Sequence, residues 1–248
     1  MGCKLKKSVS QTKGCVIMDK YKALFFDADG TLVNHKECEK QALVYLFDHI
    51  GAAYKNEYQE LFRPLDHMLW ETGLHTDKPV PIESVPTYRF KVFFEEIDIK
   101  YDDYAKANEL FKTGLANSSA LIKNAETLIE YLHNKGYIMC VVTNGLTELQ
   151  KPRISKSNIG KYISYIIVSE EVGEHKPNPL IFNTLLKRIN INPSDVFMIG
   201  DSLKNDIQGA RNAGIKSVWY NPIHQTNKTE IIPDYEIDDL IQLKKYYR

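Results

Sequence analysis

Two acidic residues, separated by one alanine, follow a short apolar run near the start of the chain. The run spans residues 22–26, and Asp27-Ala28-Asp29-Gly30-Thr31 comes directly after it. A carboxylate can attack phosphorus to form an aspartyl-phosphate, while a second carboxylate protonates the leaving oxygen and later deprotonates water. The spacing therefore allows phosphoryl transfer with Asp27 and Asp29 in separate roles. Alone, the pentapeptide is equally typical of a turn or a helix N-terminus.

Three further polar clusters follow apolar or loop segments later in the chain. Thr143, Asn144 and Gly145 offer a hydroxyl and backbone amides that suit phosphate oxygens, so we predict them to bind substrate. Lys176 lies in a proline-flanked loop, where its ammonium can neutralise a phosphate and an ionised nucleophile. Asp201 follows a strongly apolar run and can complete a set of oxygen ligands for Mg²⁺.

Asp206 lies five residues after Asp201, near the predicted start of a helix. At that position its carboxylate can brace Lys176 or hold a water molecule bound to the metal. An acid near a helix N-terminus is also favoured by the helix dipole alone. Both interpretations stay open at the level of sequence.

The elements that must position these residues alternate between two hydrophobic patterns. Short apolar runs predict strands that are buried on both faces, at residues 22–26, 137–142, 165–168, 196–199 and 217–220. Helical periodicity lies between them, as at residues 125–132. This alternation predicts an α/β fold with a doubly wound parallel sheet, whose ligands bind beyond the carboxyl ends of its strands. The four polar clusters can then converge on one crevice.

Residues 35–115 break this alternation. They carry three apolar stripes at helical spacing and no convincing strand. Pro64 and residues 78–81 are predicted to interrupt the helical pattern within this segment. We therefore predict a helical domain at 35–115, inserted into a catalytic core formed by residues 19–34 and 116–248. The stripes are Leu43, Leu46, Phe47 and Ile50; Phe90, Phe93, Phe94 and Ile97; and Tyr104, Ala107, Phe111 and Leu115.

Composition excludes several classes of protein. Basic and acidic residues each number 32, so no global positive field favours a nucleic acid polymer or an anionic membrane. No run approaches the roughly 18 apolar residues that a membrane-spanning helix needs. We expect a cytoplasmic protein with reduced cysteines. Residues 1–18 lack the apolar stretch of a signal peptide, and we interpret them as a disordered leader or a cloning remnant.

The four clusters together resemble the motifs of the haloacid dehalogenase (HAD) superfamily, and the resemblance extends over residues 21–246. It implies a HAD-like core with a C1-type helical cap at residues 35–115 that closes over the site. Haloacid dehalogenases themselves are similar in fold but lack the second acid. Asp29 therefore favours a phosphatase acting on a small phosphorylated metabolite.

The same resemblance assigns roles to individual residues. It implies that Asp27 is the nucleophile and that Asp29 is the general acid and base. Mg²⁺ would be held by Asp27, the main-chain oxygen of Asp29 and Asp201. Thr143 and Lys176 would bind the phosphate.

Within the superfamily, residues 143–145, 149–150, 169–173 and 176–177 look like the 5′-nucleotidases that act on pyrimidine and related nucleoside monophosphates. The Asn-Gly pair could equally serve phosphoglycolate or sugar phosphates. A phosphomutase or phosphotransferase, which passes the phosphoryl group to a sugar hydroxyl, has the same motifs. From a different class, a non-catalytic module could keep the fold and sense a phosphorylated metabolite.

Overall fold

The computed structural model describes residues 21–75 and 78–246, so the predicted leader at 1–18 lies outside the described residues. The strands are β1 (Ala23–Phe26), β2 (Leu74–His75), β3 (Lys78–Pro79), β4 (Ile138–Thr143), β5 (Tyr165–Val168), β6 (Val196–Gly200), β7 (Lys216–Tyr220) and β8 (Tyr235–Ile237). The α-helices are α1 (His35–Ile50), α2 (Glu57–Thr72), α3 (Val85–Glu96), α4 (Tyr104–Asn117), α5 (Ala125–Asn134), α6 (Thr147–Ser155), α7 (Ser169–Val172), α8 (Leu180–Ile189) and α9 (Gln208–Asn212).

The described chain divides into two compact units. One contains the residues up to His35 and those from Ser119 onward, and the other contains Lys36–Ser118. The second unit overlaps the helical insertion predicted for 35–115. Its role as a cap stays a prediction. No helix in the described ranges is long and apolar enough to cross a membrane.

The first unit is built on a six-stranded parallel sheet with the order β5-β4-β1-β6-β7-β8. The chain moves outward from β1 in one direction through β4 and β5, then returns to β6 and moves outward through β7 and β8. This reversal beside β1 is the feature of a doubly wound sheet, which confirms the predicted fold class. The four residues of β1 are completely buried, because the sheet is covered on both faces.

Strand register brings the carboxyl ends of three strands to the same edge. Phe26 at the end of β1 pairs with Val141 of β4 and with Ile199 of β6. The residues that follow these positions therefore leave the sheet side by side. Asp27 follows β1, Thr143 ends β4 and Asp201 follows β6. This register positions the predicted site.

The second unit consists mainly of helices. The three predicted apolar stripes lie on α1, on α3 with Ile97 just beyond its end, and on α4. Two expectations were wrong in detail. Pro64 does not separate elements but lies inside α2, and the insertion contains a two-stranded antiparallel pair, β2 and β3.

Candidate active site

Asp27 lies directly after β1 at the edge where the neighbouring strands also end. Its amide donates to the carbonyl oxygen of Ile199 at 2.9 Å, so β-type pairing continues as far as the acid. Beyond Asp27 the chain bends back, because the amides of Leu32 and Val33 both donate to the carbonyl of Ala28. The first acid is thereby held by the sheet and the second, Asp29, by the turn.

Gly30 is required at this turn. Its φ of +88° lies in the left-handed region that favours glycine. A Cβ at Gly30 would also overlap the carboxylate of Asp201. The missing side chain therefore lets the loop after β1 pack directly against the acid that follows β6.

Lys176 forms the centre of the site. Its residue is only 3% exposed, and its Nζ donates to Asp27 Oδ1 at 2.6 Å, to Asp206 Oδ1 at 2.7 Å and to the carbonyl oxygen of Val142 at 2.8 Å. The three N–H groups of an ammonium are all used by these acceptors. The predicted bracing of Lys176 by Asp206 is thus present as a direct contact.

Three acids surround this single ammonium. Burial raises the pKa of Asp27 well above its ordinary value, against the opposing charge of Lys176. Loss of surrounding water and the charge of Asp206 raise the pKa of Asp201 to about 6. Burial acts to lower the pKa of Lys176, but its two carboxylate partners outweigh burial and raise it. The raised acid pKa values indicate that the cluster has too little positive charge when its acids are ionised.

The donor set suits a divalent cation. Asp27, Asp201 and Asp206 each offer a carboxylate oxygen, and these oxygens lie within 4.8 Å of one another. Carboxylates are the ligands that Mg²⁺ prefers in proteins. Both oxygens of Asp206 have protein partners, because Oδ1 accepts from Lys176 and Oδ2 accepts from the Ser202 amide at 3.0 Å. The residues present therefore fit a magnesium ion, with Asp27 and Asp201 as the better placed ligands.

The carboxylate of Asp29 faces a different set of partners. Arg153 donates to both of its oxygens, from Nη2 to Oδ1 at 2.7 Å and from Nη1 to Oδ2 at 3.2 Å. Gln150 Nε2 donates to Oδ2 at 2.7 Å, and His35 Nδ1 lies 3.3 Å from Oδ1. Burial acts to raise the pKa of Asp29, but Arg153 and His35 outweigh it and hold that pKa far below its ordinary value.

The loop after β4 is held by side chains as well as by the sheet. Asn144 uses both ends of its amide on the backbone of Lys176, accepting from its N–H at 2.8 Å and donating to its carbonyl at 3.1 Å. The amide of Gly145 donates to Ser169 Oγ at 3.0 Å. The buried Thr143 hydroxyl donates to the carbonyl of Asn144 at 3.2 Å. Substrate binding by Thr143, Asn144 and Gly145 stays a prediction.

The structure brings most of the predicted residues together. Asp27, Asp201 and Asp206 share one cluster with Lys176, and Asn144 holds the backbone of that lysine. The carboxylate of Asp29 lies outside this acid cluster. That the main-chain oxygen of Asp29 is a metal ligand stays a prediction.

Arg153 and His35 are the contacts that sequence reasoning missed, and Gln150 entered it only through the resemblance. Gln150 and Arg153 lie within α6, which has no strong amphipathic pattern. Their spacing of three residues places both on one helix face, and this was the one signal in the sequence.

Comparisons of the chain with known proteins give a family and several relatives. A family described as haloacid dehalogenase-like hydrolase matches residues 24–220. The pyrimidine 5′-nucleotidase PynA of Streptococcus pneumoniae is 33% identical over 88% of this chain and 91% of its own. A glyceraldehyde 3-phosphate phosphatase of Pyrococcus furiosus is 27% identical over 82% of each chain.

A solved structure extends the likeness to the fold. The HAD-hydrolase YfnB of Bacillus subtilis, determined with bound magnesium, superposes with a TM-score of 0.77 at 31% sequence identity. The match covers 90% of this chain and 96% of YfnB. The likeness therefore extends over most of the chain, in sequence and in fold.

Proposed function

The chain belongs to the haloacid dehalogenase-like hydrolase family, and within that family we propose that it is a magnesium-dependent phosphatase with Asp27 as its nucleophile. The observation that carries the proposal is the buried contact of Lys176 with Asp27 beside Asp201. An ammonium in this position offsets the charge of both the attacking carboxylate and an incoming phosphate. The substrate is a small phosphomonoester.

The reaction has two steps at phosphorus. In the first, an oxygen of Asp27 forms a bond to phosphorus while the ester P–O bond breaks. Asp29, whose pKa lies far below its ordinary value in the free site, takes the proton of the entering phosphate monoanion and passes it to the leaving oxygen. In the second, a water oxygen attacks the aspartyl-phosphate and gives its proton to Asp29, which releases phosphate and restores the Asp27 carboxylate. Lys176 holds Asp27 in place through both steps.

Mg²⁺ is proposed to be held by carboxylate oxygens of Asp27 and Asp201 and by the main-chain oxygen of Asp29. When bound, the ion supplies positive charge that stabilises the transferred phosphoryl oxygens. Asp206 supports Lys176 through its 2.7 Å contact. The backbone of residues 143–145, at the end of β4, is proposed to receive the phosphate oxygens.

A pyrimidine nucleoside 5′-monophosphate is the substrate that we propose. Support comes from PynA, which is the more similar of the two relatives described above, at 33% against 27% identity. The unit at Lys36–Ser118 is proposed to be the cap that selects the ester. Because another relative is named a glyceraldehyde 3-phosphate phosphatase, that ester is the second substrate to test.

The test is phosphate release from a panel of esters, with and without Mg²⁺. The panel contains uridine, thymidine and adenosine 5′-monophosphates, glyceraldehyde 3-phosphate and phosphoglycolate. Asp27→Asn removes the nucleophile with little change in volume, so we expect turnover to disappear while the thermal unfolding midpoint stays close to that of the wild type. The matched control is Asp102→Asn, which alters an exposed acid and should keep full activity.

Each result of this panel has a defined meaning. Metal-dependent release that favours pyrimidine nucleotides and is lost in Asp27→Asn supports the whole proposal. Release that favours another ester supports the phosphatase and removes the nucleotide assignment. Wild-type rates in Asp27→Asn would contradict the assigned nucleophile.

A further inference from the structure

Helix α6 presents two buried polar side chains to the acid that serves as proton donor in the proposed function. Gln150 is 6% exposed and Arg153 is 1% exposed, and their spacing of three residues places them on one face of the helix. Lys151, on the same helix, pairs instead with Glu171. A buried arginine needs a specific partner, and the partner here is Asp29.

The contacts of Asp29 follow a regular pattern. Each carboxylate oxygen has one short and one long neighbour. Oδ1 accepts from Arg153 Nη2 at 2.7 Å and lies 3.3 Å from His35 Nδ1. Oδ2 accepts from Gln150 Nε2 at 2.7 Å and from Arg153 Nη1 at 3.2 Å. Both short contacts therefore come from α6.

The two short contacts of Asp29 differ from the two long ones in how easily a substrate atom or a water can replace them. Each carboxylate oxygen has two acceptor positions, and three hydrogen bonds from α6, with His35 Nδ1 3.3 Å away, surround the carboxylate. A leaving oxygen or a water can approach Asp29 only by replacing a neighbour, and the long contacts are the weaker ones. The His35 side chain is 40% exposed as a whole, although its Nδ1 atom beside Asp29 is buried.

From this geometry we infer that Arg153 and Gln150 are positioning residues for Asp29, whose short contacts persist while a long contact is exchanged for the leaving oxygen or the water. The inference rests on the proposed function, in which Asp29 moves the proton. Neither residue touches the phosphoryl group in this assignment. Arg153 acts through Asp29, and the shorter of the two contacts that Gln150 Nε2 makes is also to Asp29, at 2.7 Å against 3.4 Å to the carbonyl of Asn144.

A double-mutant cycle tests this dependence directly. Arg153→Lys keeps the charge but loses the two-pronged contact, and Gln150→Leu removes the amide donor at similar size. In the wild-type background we expect kcat/KM for phenyl phosphate to fall by about 100-fold for Arg153→Lys and about tenfold for Gln150→Leu. In the Asp29→Asn background the same substitutions should change it by less than about threefold, because residues that act as a unit are not additive.

The leaving group gives a second readout that a merely structural role would not move. The phenol released from phenyl phosphate needs a proton, whereas 4-nitrophenolate leaves well without one. We expect both variants to lower kcat/KM for 4-nitrophenyl phosphate by less than about threefold. The control is Lys151→Met, which changes the exposed side of the same helix and should leave both esters at wild-type rates.

The outcomes separate this inference from the function on which it depends. Equal losses on both esters, or full additivity with Asp29→Asn, would show a structural role and overturn the inference while the phosphatase stands. Wild-type kinetics in both variants would overturn it as well. If Arg153→Lys fails to fold, Gln150→Leu decides by the same two criteria. Absence of turnover by the wild type on every ester would overturn the proposed function, and the inference with it.

Discussion

The ammonium of Lys176 is the positive charge on which two buried acids depend. Asp27 is 7% exposed and Asp206 is 1% exposed, and both contact the Nζ atom at hydrogen-bonding distance. Taking charges out of water is costly, and a buried ion pair recovers that cost only while both partners are present. The lysine therefore contributes to folding as well as to the proposed chemistry.

Replacement of Lys176 by methionine should show both contributions. Lys176→Met leaves Asp27 and Asp206 buried without their shared partner, so we expect the free energy of unfolding to fall by about 3–5 kcal/mol at neutral pH. Phosphate release should disappear. Urea unfolding, followed by circular dichroism, measures the first effect.

A surface lysine provides the matched control for this change. Lys216 pairs with Asp234, but its side chain is 56% exposed, so Lys216→Met should cost no more than about 1 kcal/mol. The loss in Lys176→Met should also shrink in acid, since protonation removes the unpaired charges. Equal losses in the two variants would contradict the central role of the buried ammonium.

Strand-end residues of the site could be predicted from sequence, whereas helix-borne ones could not. Asp27 and Asp201 follow strongly apolar runs, and parallel strands of one sheet bring such positions to a common edge. Gln150 and Arg153 lie within α6, where their spacing of three residues places them on one face but no apolar pattern shows which way that face points. Asn144 was predicted to contact substrate, and its role in holding Lys176 depends on a tertiary contact.

At the scale of elements, the segment after β6 explains why Asp206 points back to the sheet edge. Residues Leu203–Ile207 form a π-helical turn, a rare form that often occurs at functional sites. Ser202 caps this turn by accepting from the Asn205 amide, and its own amide donates to Asp206. The turn therefore folds the carboxylate over Gly200.

The absence of a side chain at Gly200 is what permits this arrangement. A Cβ there would overlap the Asp206 side chain, so Gly200→Ala should displace Asp206 from Lys176. We expect a loss of about 1–3 kcal/mol in the free energy of unfolding, as for other overpacked cores. kcat should fall as well, because Asp206 braces Lys176. Denaturant unfolding and steady-state kinetics measure the two effects.

Gly136→Ala is the control for glycine substitution. Gly136 has a φ of +81° with open space around its Cα, so alanine should cost about 1 kcal/mol through backbone strain and leave the kinetics unchanged. Unchanged kcat in Gly200→Ala would mean that Asp206 does not depend on the glycine.

The core strands could be predicted because burial on both faces leaves a continuous apolar run. Predicted and observed bounds of five strands agree within one residue at each end, as for 196–199 against Val196–Gly200. The edge strand β8 has only one fully buried residue, Ile237, and so has no such run. Pro64 within α2 was misread, because proline signals a break unless tertiary packing holds the helix.

For the molecule as a whole the formal net charge is zero, but the acid cluster at the site has more negative than positive side chains. Basic and acidic residues are equal in number over the chain, yet three acids at the site face one ammonium. Burial is the largest cause of the raised pKa values of Asp27 and Asp201, and the neighbouring acids add to it. Global stability should therefore respond to pH and to a divalent cation through this one cluster.

The expected sign follows from proton binding. Asp201 has an ordinary pKa of 3.8 that folding raises to about 6, so the folded state binds more protons than the unfolded state between these values. Stability without metal should therefore fall as the pH rises through this window. The raised pKa of Asp27 acts in the same direction.

Mg²⁺ bound to the ionised carboxylates, as proposed, should reverse this trend by stabilising the folded state through mass action. We expect millimolar MgCl₂ to raise the thermal unfolding midpoint more at about pH 7 than at about pH 5, where protons compete for the same oxygens. Asp201→Asn should weaken both the pH dependence and the response to Mg²⁺, whereas Asp102→Asn should change neither. An equal shift at both pH values, kept in Asp201→Asn, would place the bound cation elsewhere on the chain.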